Sequence, residues 1–183
     1  QSESYLDGLQ MSMQSLKAAF FRPNILFLSL TNEIERDEET ATLMHLAKNY
    51  TMGVMLFVPY RKVGLGLEKN INLWIYFDNL EPELEYKVSH INIAILTAYL
   101  LKRNWKANLK LIVIYSEKDD NEAQSERKRA EEYMKKLMEL SRLPRDLQLM
   151  FVPSDTSDVL DQNAPFADIN IFALPRNNKT CKQ

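Results

Sequence analysis

Between residues 70 and 116 the chain reads strand, helix, strand, and the helix at its centre carries almost no polar residues. Ile91, Ile93, Ala94, Ile95, Leu96, Ala98, Tyr99, Leu100 and Leu101 leave Asn92 and Thr97 as the polar interruptions. A helix lying on one side of a sheet ordinarily shows water a polar stripe, and one that is apolar all round is covered on a second side. Two arrangements meet that demand. The helix is boxed in by its own neighbours and the sheet, or a second subunit or further domain covers it. On the second reading the candidate interface is Ile91, Ile95, Ala98 and Tyr99, with Lys102, Arg103 and Trp105 at the basic end. Charging Ile95 or Tyr99 is then expected to give monomers that stay folded.

The flanking segments repeat the alternation. Residues 5–21 place Leu6, Leu9, Met13, Leu16 and Phe20 at helical spacing, and the helix stops at Arg22-Pro23, since proline disfavours helical geometry in the residue before it. Residues 24–30 and 54–58 are short apolar runs, read as strands covered on both faces. Between them lies an amphipathic helix carrying Leu43, Leu46, Ala47 and Tyr50, with Gly53 expected to end it. Residues 71–77 form a third strand after a connection of about ten residues, short for a parallel crossover. Its direction is left open. Residues 79–89 are a polar linker, with Ser89 a good helix cap. Strand 109–115, a charged helix over 119–142, strand 147–152, a short helix within 154–163 and an edge strand 167–174 complete the series. In the charged helix, Ala130, Tyr133, Met134, Leu137, Met138 and Leu140 form the buried stripe, and Glu131–Lys135 and Glu132–Lys136 are well-oriented pairs.

This alternation predicts an α/β fold: a doubly wound, mainly parallel sheet of five to six strands with helices on both faces. A chain of 183 residues suits one domain, here 1–175, followed by a flexible polar tail over 176–183. With 45% hydrophobic and 26% charged residues the composition is that of a folded globular protein. A net charge of −2 gives no basis for nucleic-acid binding. Cys181 is the one cysteine, so disulfides and thiolate metal sites are not expected. No apolar run of about 18 residues suggests a membrane span. The chain begins with Gln1, which suggests a piece of a longer protein whose remainder holds the activity.

No motif carries catalytic chemistry, and neither enzyme activity, a cofactor nor a metal is expected. Gly64-x-Gly66 followed by Lys69 is the nearest approach to a phosphate loop, but it lacks the third glycine and no helix opens after it. The loop at 116–122 has no glycine and four carboxylates, which would repel a polyphosphate. His45 and His90 stand outside any metal-ligand spacing and read as surface or capping residues. Glu33, Glu35, Asp37, Glu38 and Glu39 read as a solvated helix start. The basic group Lys102, Arg103, Lys106 and Lys110 either complements a helix dipole or meets an acidic partner or anionic lipid, with Trp105 as anchor.

Three segments together carry a family resemblance: Arg22-Pro23-Asn24-Ile25-Leu26-Phe27-Leu28, Ile71-Asn72-Leu73-Trp74-Ile75-Tyr76-Phe77-Asp78, and Tyr99-Leu100-Leu101-Lys102-Arg103-Asn104-Trp105 leading into 109–114. In order and spacing they resemble the C-terminal cytoplasmic domain of the cation–chloride cotransporters, the sodium–potassium–chloride type and its prokaryotic relatives. Asp78-Asn79-Leu80 stands where that family often has Asp-Gly-Gly. The resemblance implies a universal-stress-protein-like domain on the cytoplasmic side of the cell membrane, without a nucleotide site. It also implies a homodimeric, non-catalytic regulatory domain whose partner is the membrane-embedded transporter domain of the same protein. The competing reading is a universal-stress-type nucleotide-binding protein with a degenerate phosphate loop.

Overall fold

A computed structural model describes residues 2–17, 19–20, 23–30, 35–59, 64–77, 90–115, 120–141, 143–144, 147–154 and 158–173. The chain divides into two compact units, Gln1–Gly64 and Leu65–Gln183, where the sequence suggests one domain over 1–175. The linker at 79–89, its Ser89 cap and the tail at 176–183 lie outside the described residues.

The first unit runs α1 (Ser2–Lys17), β1 (Ile25–Ser29), α2 (Glu35–Asn49), β2 (Gly53–Phe57). The two strands pair in parallel, Ile25 opposite Gly53 and Ser29 opposite Phe57, with α2 as the crossover such a pair requires. Met13 of α1 and Leu43 and Ala47 of α2 are buried at spacings that keep each on one helix face. Leu16 and Phe20, expected on the same stripe as Met13, are exposed. Thr51, not Gly53, closes α2. It sits at φ 59°, in the left-handed region, and the Met52 N–H donates to the Ala47 carbonyl at 2.9 Å. That closure usually employs glycine; Gly53 opens β2 instead.

The strands are less enclosed than their apolar runs suggest. Leu26 and Leu28 are half-buried, while Ile25 and Phe27 face the other way, Phe27 being 58% exposed and stacked on Phe57 with centroids 6.1 Å apart. An unbroken apolar run fixes neither face as interior, because successive side chains alternate across the strand.

The second unit runs β3 (Asn70–Phe77), α3 (His90–Trp105), β4 (Asn108–Tyr115), α4 (Asp120–Leu140), β5 (Gln148–Pro153), α5 (Val159–Asn163), a 3-10 turn (Ala164–Phe166) and β6 (Ile169–Ala173). Its four strands form one sheet in the order β5-β4-β3-β6. Every pairing is parallel, which settles the direction of β3. Among the described residues the six strands therefore lie in two sheets, of two and four strands, not in one sheet of five to six. Alternating strands and helices establish the α/β class; which strands share hydrogen bonds is decided by packing.

Strand alternation sorts the second unit's core into two faces. Ile71, Leu73, Ile75 and Phe77 of β3 and Leu109, Leu111, Val113 and Tyr115 of β4 point to one face. There they meet Ile91, Ala94, Ile95 and Ala98 of α3 and Ala130, Met134 and Leu137 of α4. On the other face Trp74, Ile112 and Val152 pack with Val159 of α5 and Ala164 of the 3-10 turn. The two central strands are thus buried on both sides, as parallel strands normally are. Leu140, expected in the buried stripe of α4, is exposed in its last turn, and Glu131 pairs with Arg127 at 2.9 Å in place of Lys135.

Candidate functional site

The apolar helix α3 has an inner and an outer seam. Positions 91, 94, 95, 98 and 105 are spaced by three, four and seven residues and face the sheet; Ile91, Ile95 and Ala98 are buried in the unit's own core, and Trp105 packs against it half-buried. Tyr99 and Lys102 are half-buried at the margin, and Arg103 is exposed. Positions 92, 96, 100 and 103 form the opposite face. Leu96 there is 54% exposed and Leu100 48%, flanked by Asn92 and Arg103. Of the seven residues expected at an interface, three are therefore interior, and the exposed apolar side chains are two leucines one turn apart. Both seams of the helix are apolar, so composition alone could not phase it.

The basic group is divided. Lys102 and Arg103 lie in the last turn of α3, and Lys106, at φ 53°, forms its left-handed closure, with the Ala107 N–H donating to the Lys102 carbonyl at 3.1 Å. Lys110 belongs to the opposite face of the sheet, where its Nζ donates to Asn163 Oδ1 at 2.8 Å. It is one member of a polar network around a fully covered tryptophan. Asn72, buried in mid-strand, donates from Nδ2 to the Asn163 carbonyl at 3.0 Å and to Asn170 Oδ1 at 3.2 Å. Trp74 Nε1 donates to the same Asn170 oxygen at 2.9 Å, and Asn170 Nδ2 donates to the Ala164 carbonyl at 3.0 Å. Three asparagines thus bind α5 and the 3-10 turn to β3 and β6. Their sequence signal was present: Asn72 and Asn170 interrupt apolar strands at positions that face one another in register.

The Gly64-x-Gly66 turn is filled from within the chain. The Leu67 N–H donates to Asp168 Oδ1 at 2.8 Å, and the Lys69 and Asn70 N–H groups both donate to Asp168 Oδ2 at 2.8 Å. Gly66 sits at φ 63°, and a side-chain carbon there would collide with Asp168 Oδ1, so both backbone and space demand glycine. The amides of Leu67, Asn70 and Lys69, and then the Lys69 charge, hold the Asp168 carboxyl below the ordinary carboxylate range. Sequence reading overlooked Asp168, which lies about a hundred residues from the turn it completes.

A depressed folded-state pKa stabilises the fold above the unfolded value, near 3.9 for aspartate, and that contribution disappears as pH falls through the lower folded value. Asp168→Asn is therefore expected to be less stable than the parent chain at neutral pH. The gap should narrow below about pH 4. Urea unfolding at a series of pH values measures it; a gap that does not change with pH would contradict the assignment.

His45 is exposed on α2, and His90 is the first residue of α3. Among the described residues no group of histidine, cysteine, aspartate and glutamate has the arrangement of a metal site. Glu33 and residues 116–119 lie outside the described residues. No described helix is long and apolar enough to cross a membrane.

Comparison with known proteins follows the same division of the chain. Residues 1–65 match the family model for the prokaryotic cation-chloride cotransporter C-terminal domain, 1st, and residues 66–180 match the model for the 2nd. Among solved structures the chain is similar to one described as the crystal structure of the cytoplasmic domain of a prokaryotic cation chloride cotransporter, at 35% identity and a TM-score of 0.73. That likeness covers 93% of this chain and 61% of the solved one. No curated protein matches.

Proposed function

Because this chain belongs to the prokaryotic cation-chloride cotransporter C-terminal domain family, we propose that it acts as a non-catalytic regulatory and dimerisation module of such a transporter. It is a cytoplasmic domain. Its partners on this reading are the membrane-embedded part of the same protein and a second copy of itself. The transported ions, of the sodium–potassium–chloride type, bind in the membrane part and not here. A universal-stress-protein-like fold without nucleotide binding completes the proposal. It is supported by the sequence of residues 116–122, which has no glycine and four carboxylates.

One observation carries the assembly role: Leu96 and Leu100 stand exposed on the outer face of α3 while the helix's inner face is fully used by the core. Two large aliphatic side chains one turn apart supply the apolar centre that a self-complementary interface needs. Leu96→Glu combined with Leu100→Glu is expected to convert dimers into monomers with unchanged circular dichroism, because these positions contribute little to the core. Light scattering on both proteins reads the result. A wild-type chain that is monomeric throughout, or a variant that keeps the wild-type mass, would exclude this face.

A further inference from the structure

We propose that the turn from Leu65 to Asn70 is a preformed oxyanion nest whose resident anion is the Asp168 side chain, and that the nest takes a free carboxylate once Asp168 is removed. This goes beyond the transporter assignment and does not depend on it. The sign of φ alternates: Gly64, Gly66 and Glu68 lie at φ 62°, 63° and 58°, and the residues between them are not at positive φ. Such alternation turns successive N–H groups into one concavity, the geometry by which backbone amides bind anions in phosphate loops. Three of those groups converge on two carboxylate oxygens, which use both ends of a planar anion. A glutamate at left-handed φ is uncommon outside sites that require it.

The walls of the nest are held by contacts that do not involve the carboxylate. The Asn108 N–H donates to the Lys69 carbonyl at 2.7 Å, and the Asp168 N–H donates to the Asn70 carbonyl at 2.8 Å. Both are backbone bonds that fasten the turn to β4 and to the approach to β6, so they persist when the side chain is cut away. The position also separates this nest from a nucleotide crevice. It lies at the amino ends of β3 and β6, whereas open α/β sheets bind ligands beyond the carboxyl ends. The chemistry selects a small planar carboxylate; a polyphosphate would need room beyond the two oxygens that Asp168 supplies.

The test is Asp168→Gly, which clears the side chain back to the backbone, titrated with sodium formate against sodium chloride at equal ionic strength. Formate should raise the variant's thermal midpoint saturably, by a few degrees beyond chloride, and shift the Leu67, Lys69 and Asn70 amide resonances. Wild type and Asp168→Asn, whose nest remains filled, should respond to formate no more than to chloride. A folded glycine variant indifferent to formate, or equal responses in all three proteins, overturns the proposal. If the glycine variant does not fold alone, refolding in formate against chloride asks the same question: recovery specific to formate supports the nest, and equal failure in both refutes it.

Discussion

Ile95→Glu should unfold the Leu65–Gln183 unit, whereas a residue on a free helix face would leave a folded monomer. Ile95 is 6% exposed and belongs to the cluster formed by Ile91, Ala94 and Ala98 with the inner residues of β3 and β4. Truncating a buried isoleucine costs about 2–5 kcal/mol, and an ionised carboxylate in its place adds a desolvation penalty of at least several more. Domains of this size are stable by roughly 5–15 kcal/mol, so the sum takes most or all of the margin. Leu96→Glu, on the adjacent position of the same helix, should change stability by only about 0.5 kcal/mol. Near-ultraviolet circular dichroism and urea titration distinguish the two: a cooperative transition for Ile95→Glu close to that of wild type would mean that the inner seam of α3 has been misassigned.

Trp74→Ala should be nearly as damaging, through the other face of the sheet. Trp74 is 2% exposed in the central strand β3, packed with Ile112, Val152 and Val159. Its ring lies over Phe172 with centroids 5.6 Å apart and planes 12° from parallel, and its N–H is taken up by Asn170. Truncation of a buried tryptophan costs about 3–5 kcal/mol. Loss of the aromatic pair adds about 0.5–1.5 kcal/mol. Trp74→Phe retains a ring over Phe172 and leaves the Asn170 oxygen to Asn72, so it should lose only about 1 kcal/mol. Equilibrium denaturation of both variants gives the ordering. An alanine variant no weaker than the phenylalanine one would show that the stacked ring contributes little.

What sequence could and could not convey is clearest at α3 and Asp168. The order of strands and helices was readable because each element's apolar spacing is local: β3 and β4 are strongly apolar, and α4 keeps Ala130, Met134 and Leu137 on one side. The phase of α3 is signalled only at its ends, by Asn92 and Arg103 on the outer face, since between them Ile95 and Ala98 on one seam and Leu96 and Leu100 on the other are equally apolar. Nearness along the chain groups Lys110 with Lys102, Arg103 and Lys106. Period-two alternation from Leu109 and Leu111 would have turned it to the opposite face. Asp168 left no local signal at all, because its partners are three backbone amides a long loop-closure away. The division into two sheets was hidden for a related reason: parallel strands need not pair with their sequence neighbours, and nothing in β2 or β3 states which edge it seeks.

The placement of β3 between β4 and β6 also sets a schedule for biosynthesis. Its first partner emerges from the ribosome one helix later, but the second, which aligns Ile169 with Ile71, follows only after α4, β5 and α5. Until then one hydrogen-bonding edge of β3 is open and the indole of Trp74 lacks both its stacking ring and its acceptor. Contacts so distant along the chain form slowly, and bare strand edges invite association between nascent chains. Translation halted before residue 169 should therefore leave a species that chaperones retain, and completion of the last strand should release it.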